Sequence, residues 1–314
     1  MEHNSTDVTV VRQQDFECEG PVEISVEILC GRLDVHLVED TAAQGAVSVQ
    51  VRPDPTGSPV WSAGLTGLLT WLGGQAGVTA PGDLAAEAVH RTAIDFTEQR
   101  LTVRTPRDTP IRAIPLAMQV TAPAGSAVRA RSGSADVTVD GVADWLDIAT
   151  GSGEVRAQRC TGTADLRTGS GDVRLGPVLG PLRVRTGSGT VDVVSLDGPE
   201  SADSTAAADR AGSVQTGSGN VRLGAVARDL SVRTGSGDLI VVDASAGRFE
   251  LLSGSGQLRV GIHPGVRAEV DISSGSGQAR SDLPLGGPPP EGEVRLRVRA
   301  RTGSGNALVT AAPS

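Results

Sequence analysis

The chain has 314 residues, 38% of them apolar, enough to bury a sizeable core in one elongated domain or two compact ones. Only 2% are aromatic, none is Tyr and 41 are Gly, which excludes a core filled by large rings and points to stacked Val, Leu, Ile and Ala. Twenty-eight basic against 37 acidic residues leave a net charge of -9 with no long basic run, so generic nucleic-acid binding is excluded: phosphate neutralisation needs clustered cations.

The start, Met1-Glu2-His3-Asn4-Ser5, lacks a positive segment followed by an apolar one, and cytoplasmic residence is the expectation. Cys18, Cys30 and Cys160 have no CxxC spacing and suit reduced thiols. Period-two patterns predict strands over Val22 to Ile28, Arg32 to Val38 and Val47 to Val51. Gly57 to Gly82 reads as an inserted apolar and Gly-rich segment in which Trp61, Leu65, Leu68, Leu69 and Leu72 share one helical face. It is too short and glycine-broken to span a bilayer, which leaves packing across a solenoid end or a partner-docking patch. Asp83 is placed to cap a short helix through His90, and strands follow at Ile94 to Phe96, Leu101 to Val103 and Met118 to Val120. Residues 1–127 therefore read as a β-rich N-terminal cap.

From residue 128 a repeat takes over. It starts at Ser132-Gly133-Ser134-Ala135 and returns at Thr150, Thr168, Thr186, Thr216, Thr234, Ser253, Ser274 and Thr302, each opening a Thr/Ser-Gly-Ser-Gly corner. The first glycines are spaced 18, 18, 18, 30, 18, 19, 21 and 28 residues apart. The long steps hold a Ser/Ala/Asp-rich stretch, Ser195 to Asp209, and the Pro-rich Leu283 to Pro290, both expected to bulge out as loops. Leu182-Arg183-Val184-Arg185-Thr186 alternates before a corner, and Thr190-Val191-Asp192-Val193 alternates after it. Two strands per unit with one buried face, and no helix to cross over, predict an all-β fold: a parallel β-solenoid with ~18-residue rungs over residues 128–314. Val173, Leu175, Val184, Val191, Val193, Val232, Leu239 and Val241 should point inward.

The T-G-S-G-[DEN]-V-R units resemble the bacterial β-strand repeat family known as putative adhesins, a domain of unknown function. Gly31-Arg32-Leu33-Asp34-Val35, Gln99 to Pro106 and Val298 to Gly303 extend the likeness over nearly the whole chain. The resemblance implies the repeat fold and adhesin-like binding, and names no ligand.

Chemical signatures are sparse. A calcium ladder would need a carboxylate in every half-turn, but the acidic position holds Asp136, Glu154, Asp172 and Asp238 and is Thr190, Asn220, Gln257, Gln278 and Asn306 elsewhere. No corner continues into a phosphate-loop motif, and His3, His36, His90 and His263 sit apart without zinc spacing. No catalytic residue, cofactor or metal site is assigned. Asp172, Arg174, Asp192 and Arg156 on adjacent rungs could converge as in carbohydrate-active β-helices, the alternative reading, although sugar sites usually add aromatic platforms and the repeats hold only Trp145. Arginines recur before the corners (Arg131, Arg167, Arg185, Arg233, Arg301) and after them (Arg156, Arg174, Arg222, Arg259, Arg280). They are either salt-bridged solvation or a surface for an unknown protein or polymer partner, with Arg156, Arg174, Arg185, Arg222 and Arg233 as candidates beside Trp61, Leu65, Leu68 and Leu72. The last unit, Thr302 to Thr310, is followed by only four residues and reads as an uncovered final rung. Two outcomes stay open there: a homodimer through the C-terminal rung, or a monomer whose edge is blunted by proline. The expectation as a whole is a non-enzymatic binding or scaffold protein.

Overall fold

The computed structural model describes residues 10–39, 45–55, 81–109, 111–197, 211–283 and 294–313. Most of the 57–82 insertion with Trp61, Leu65, Leu68, Leu69 and Leu72, most of the Ser195–Asp209 loop and the 284–290 stretch lie outside the described residues. The fold is all-β with long stacks of parallel strands, and it divides into two compact units, Met1–Gly141 and Val142–Ser314.

The first unit contains β1 (Arg12–Glu17), β2 (Glu23–Ile28), β3 (Gly31–Val38), β4 (Ala46–Pro53), a helix α1 (Pro81–Arg91), β5 (Ala93–Thr97), β6 (Arg100–Arg104), β7 (Leu116–Pro123), β8 (Ala127–Ser132) and β9 (Asp136–Ala143). The helix starts two residues earlier than expected, so Asp83 lies inside its first turn, where a carboxylate still favours the positive end of the helix dipole. One sheet runs β1-β4-β7-β3-β9 and the other β5-β6-β2-β8. β3 pairs in parallel with both β7 and β9, while β4 is antiparallel to β1 and β7. The two antiparallel edge strands meet through stacked Phe16 and Phe96 rings, 5.3 Å apart. The β5–β6 hairpin turns on Glu98 and Gln99, both at positive φ, the two-residue geometry that matches strand twist although neither is the usual Asn-Gly.

The second unit holds β10 (Trp145–Thr150), β11 (Val155–Cys160), β12 (Ala164–Thr168), β13 (Val173–Val178), β14 (Leu182–Thr186), β15 (Val191–Leu196), β16 (Gly212–Thr216), β17 (Val221–Val226), β18 (Leu230–Thr234), β19 (Leu239–Ala244), β20 (Gly247–Ser253), β21 (Leu258–Ile262), β22 (Ala268–Ser274), β23 (Ala279–Ser281), β24 (Leu296–Thr302) and β25 (Ala307–Ala311). Strands before a corner stack in one sheet, β10-β12-β14-β16-β18-β20-β24-β22, and strands after a corner in the other, β11-β13-β15-β17-β19-β21-β25-β23. Register keeps like on like: Leu166 lies beside Val184, then Val214, then Val232. All eight residues expected to point inward are buried, and Arg185 is exposed next to buried Val184.

Stacking order departs from chain order at one place in each unit. The β2/β3 pair sits between β6/β7 and β8/β9, and β24/β25 sits between β20/β21 and β22/β23. The last repeat is therefore flanked on both sides, and the expectation of an uncovered C-terminal rung is corrected. The end of the stack is β22/β23, whose Val270 and Ile272 are half-buried where equivalent residues inside the stack are fully buried.

Candidate functional site

The corners explain the most repeated polar residues. From Thr150 onward the Thr or Ser hydroxyl accepts the N–H of the glycine three residues on and, Ser274 apart, is tucked inward, as from Gly171 to Thr168 at 2.9 Å and from Gly219 to Thr216 at 2.9 Å. A side-chain oxygen used this way satisfies a donor that the tight turn would otherwise strand. The position after the corner is occupied in the same sense. Asp172 accepts the N–H of Thr190, Asn220 that of Asp238, and Asp238 that of Gln257, each on the neighbouring strand pair. Aspartate and asparagine serve equally because only the carbonyl-type oxygen is needed, which accounts for Asn220 and Asn306 in the acidic series. Among the described residues no cluster of three metal-ligating side chains is present, and no helix is long and apolar enough to cross a membrane.

Arg228 is buried, and its guanidinium donates to the carbonyls of Val178 and Gly180, roughly fifty residues back in the chain. A guanidinium offers several donors in one plane, so one side chain satisfies the carbonyls of two residues at the turn between β13 and β14.

The outward arginines form two columns on different sheets. On the pre-corner sheet the registered column is Arg167, Arg185, Gln215, Arg233, Leu252, Arg301. On the post-corner sheet it is Arg156, Arg174, Asp192, Arg222, Ile240, Arg259, Leu308, Arg280. Several members are held by acids: Arg156 by Glu154 at 2.6 Å, Arg174 by Glu154 and by Asp172 at 3.3 Å, Arg167 by Asp165 at 3.0 Å, and Arg233 by Glu250 at 3.9 Å. The quartet weighed for carbohydrate chemistry is thereby divided, since Asp172, Arg174 and Arg156 are engaged in this surface ladder. Of the sequence candidates, Arg185 and Arg222 have no acidic partner within 4 Å among the described residues, and Arg183 and Arg259, not singled out individually, share that property. Arg185 and Arg259 have no acid beside them in register, whereas Arg183 lies beside Asp165 and Arg222 beside Asp192 without an ion pair within 4 Å.

Arg222 and Arg259 border a shallow cavity of about 390 Å³. Ile240 lies between them in register, and Val242, Thr310, Ala311 and Pro313 complete its apolar side. The nearest acid along the strand, Asp238, spends one oxygen on the Gln257 N–H. All 28 basic residues of the chain are arginines, so every cation on this surface is a planar fork able to grip a carboxylate through two hydrogen bonds.

The remaining titratable groups are locally satisfied. His36 faces Asp140 at 3.2 Å and His263 faces Asp243 at 3.0 Å. Burial pushes the Asp34 carboxyl up against the lowering influence of neighbouring Arg32 and His36. The three cysteines are buried and form no disulfide, and burial pushes the Cys160 thiol up to about 11. At pH 8 roughly a thousandth of Cys160 is thiolate, so native protein should take up iodoacetamide there far more slowly than urea-unfolded protein. Equal rates, followed by mass spectrometry of the Cys160 peptide, would contradict its enclosure.

No protein-family model matches the chain, and no curated protein matches it. Among solved structures it is similar to a putative adhesin from Bacteroides fragilis, with 9% identity over 96% of this chain and 97% of that one and a TM-score of 0.37. It is also similar to a putative adhesin from Parabacteroides merdae, with 12% identity over 95% of each chain and a TM-score of 0.35. A putative cell adhesion protein from Clostridium sporogenes shares 8% identity over 96% of this chain and all of its own, with a TM-score of 0.20.

Proposed function

We propose that this chain is a binding scaffold without catalytic machinery, a β-solenoid of ~18-residue rungs whose outward arginines receive acidic groups of a partner protein. The observation that carries the reading is four outward guanidiniums, on Arg183, Arg185, Arg222 and Arg259, that form no ion pair within 4 Å among the described residues of a protein of net charge -9. Local positive charge on an acidic molecule steers and orients an acidic partner more than it adds raw affinity. Glu154, Asp172 and Asp238, in contrast, are occupied by backbone N–H groups and by arginines, which argues against their use as general acids or bases. Adhesin-like binding, the role implied by the family resemblance, is one form of this proposal. Cytoplasmic residence belongs to it as well, supported by three cysteines outside any disulfide, and cell fractionation tests that part.

Binding of biotinylated polyglutamate to the full chain, measured by interferometry between 50 and 300 mM salt, tests the central claim. Affinity should fall with salt, and Arg183→Glu with Arg185→Glu, or Arg222→Glu with Arg259→Glu, should each weaken it by at least about tenfold. Absence of binding at low salt, or variants indistinguishable from the native chain, would overturn it.

A further inference from the structure

On the post-corner sheet the arginines do not simply pile up. From β17 onward the registered column reads Arg222, Ile240, Arg259, Leu308, Arg280, a cation on every second strand with an apolar residue between. Adjacent strands lie about 4.8 Å apart, so consecutive guanidiniums of this comb recur about every 9.6 Å. Alternation also spares the column the like-charge contacts that arginines on adjacent strands would suffer. The outermost tooth, Arg280, is held by Asp282 at 2.6 Å, while Arg222, which has Asp192 on its other side in register, and Arg259 form no ion pair within 4 Å among the described residues and open onto the cavity floored by Ile240 and Val242.

Resting on the acidic-partner reading above, we infer that the comb Arg222–Ile240–Arg259 is a docking site for a polyproline-type segment of a protein partner that carries a carboxylate at every third residue. A polyproline II helix has three residues per turn and rises about 3.1 Å per residue, so residues i and i+3 share one face about 9.3 Å apart. That is the tooth spacing to within a few tenths of an ångström. A β-strand ligand does not fit, because its same-face residues recur about every 6.8 Å. The pre-rigidified polyproline backbone loses little entropy on docking, which suits a shallow site with few contacts. Each carboxylate would accept two hydrogen bonds from one guanidinium, while the apolar stem of the segment covers Ile240 and Val242. An acidic polysaccharide is the less favoured occupant, since no aromatic ring lines the cavity to carry a sugar face.

The test compares fluorescein-labelled peptides of identical composition, (Glu-Pro-Pro)4 and (Glu-Glu-Pro-Pro-Pro-Pro)2, by anisotropy on the full chain, with oligogalacturonate as competitor. The regularly spaced peptide is expected to bind roughly fivefold tighter than the rearranged one. Arg222→Gln and Arg259→Gln should each abolish that preference, and Arg183→Gln should leave it intact. All three sites are exposed, and unchanged melting temperatures will show that the variants fold. Equal affinity for the two peptides, or tighter binding of oligogalacturonate than of either, overturns the comb. If the peptides fail while polyglutamate still binds through Arg183 and Arg185, the comb falls and the acidic-partner reading stands. If polyglutamate fails too, both fall.

Discussion

Replacing Gly219 by alanine is expected to destabilise the second unit by about 3 to 5 kcal/mol, the range of the most damaging single substitutions. A Cβ at this corner would sit 1.9 Å from the carbonyl oxygen of Gly189 and 2.8 Å from the Thr216 hydroxyl. Neither can retreat: the first is backbone locked into the stack, and the second accepts the Gly219 N–H. The cause is close approach and not unusual dihedrals, so it recurs wherever two such corners stack, with the same 1.9 Å at Gly171, Gly237 and Gly256. Gly45 supplies the contrast, because an added Cβ there would come no closer than 4.0 Å to the Cys18 carbonyl oxygen. Gly45→Ala is accordingly expected to be neutral or stabilising by up to about 1 kcal/mol through the unfolded chain's lost freedom. Urea unfolding followed by circular dichroism measures both. A Gly219→Ala protein as stable as the native chain would show that the corners do not stack this closely.

Removing residues 294–314 is expected to unfold the preceding strand pair as well. β24 is the strand partner of β22, and β25 that of β23, so cutting away the last repeat takes the ladder from 268–281 although those residues remain in the chain. Val270 and Ile272, already half-buried, then have no neighbouring rung to cover them. Leu296, Val298 and Val309 leave the core at the same time, side chains worth about 1.5 to 3 kcal/mol each when fully buried. Hydrogen exchange should show amides of 268–274 exchanging at unfolded-chain rates in the truncated protein, with protection retained in β18 and β19. Persistent protection of 268–274 would mean that β22 had re-paired directly with β20, and that the interleaved order is dispensable.

The strands, their inward faces and the corner positions were legible along the chain because each depends on neighbours a few residues away. Period-two alternation such as Leu182-Arg183-Val184 leaves one register with a buried face, and a one-residue slip would bury arginines. The β-rich character of the first unit was readable in the same way, down to strands at Val47 to Val51 and Met118 to Val120. Its antiparallel edges were not, since nothing local in Arg12 to Glu17 marks the strand it will meet.

What the linear order left undecided is which repeat lies beside which. Counting units along the chain puts the last one at the end of the stack, yet β24/β25 lie inside it, because β24 presents in-register apolar partners to β20 and β22 alike: Val298 beside Phe249 and beside Val270. The same limit governs the candidate site. Arg174 and Arg222 occupy the same place in near-identical units, but Arg174 pairs with Glu154 and Asp172, whereas Arg222 stands between Asp192 and Ile240 and forms no ion pair within 4 Å among the described residues. By itself the sequence determined the rung, its two faces and its corner chemistry, all set by local alternation and by glycine. Pairs two residues apart, such as Arg156 with Glu154 and Arg167 with Asp165, were local as well, and only the tertiary structure decided those that reach across strands about 4.8 Å apart, Arg174 with Glu154 and Arg233 with Glu250, because their partners are distant in the chain.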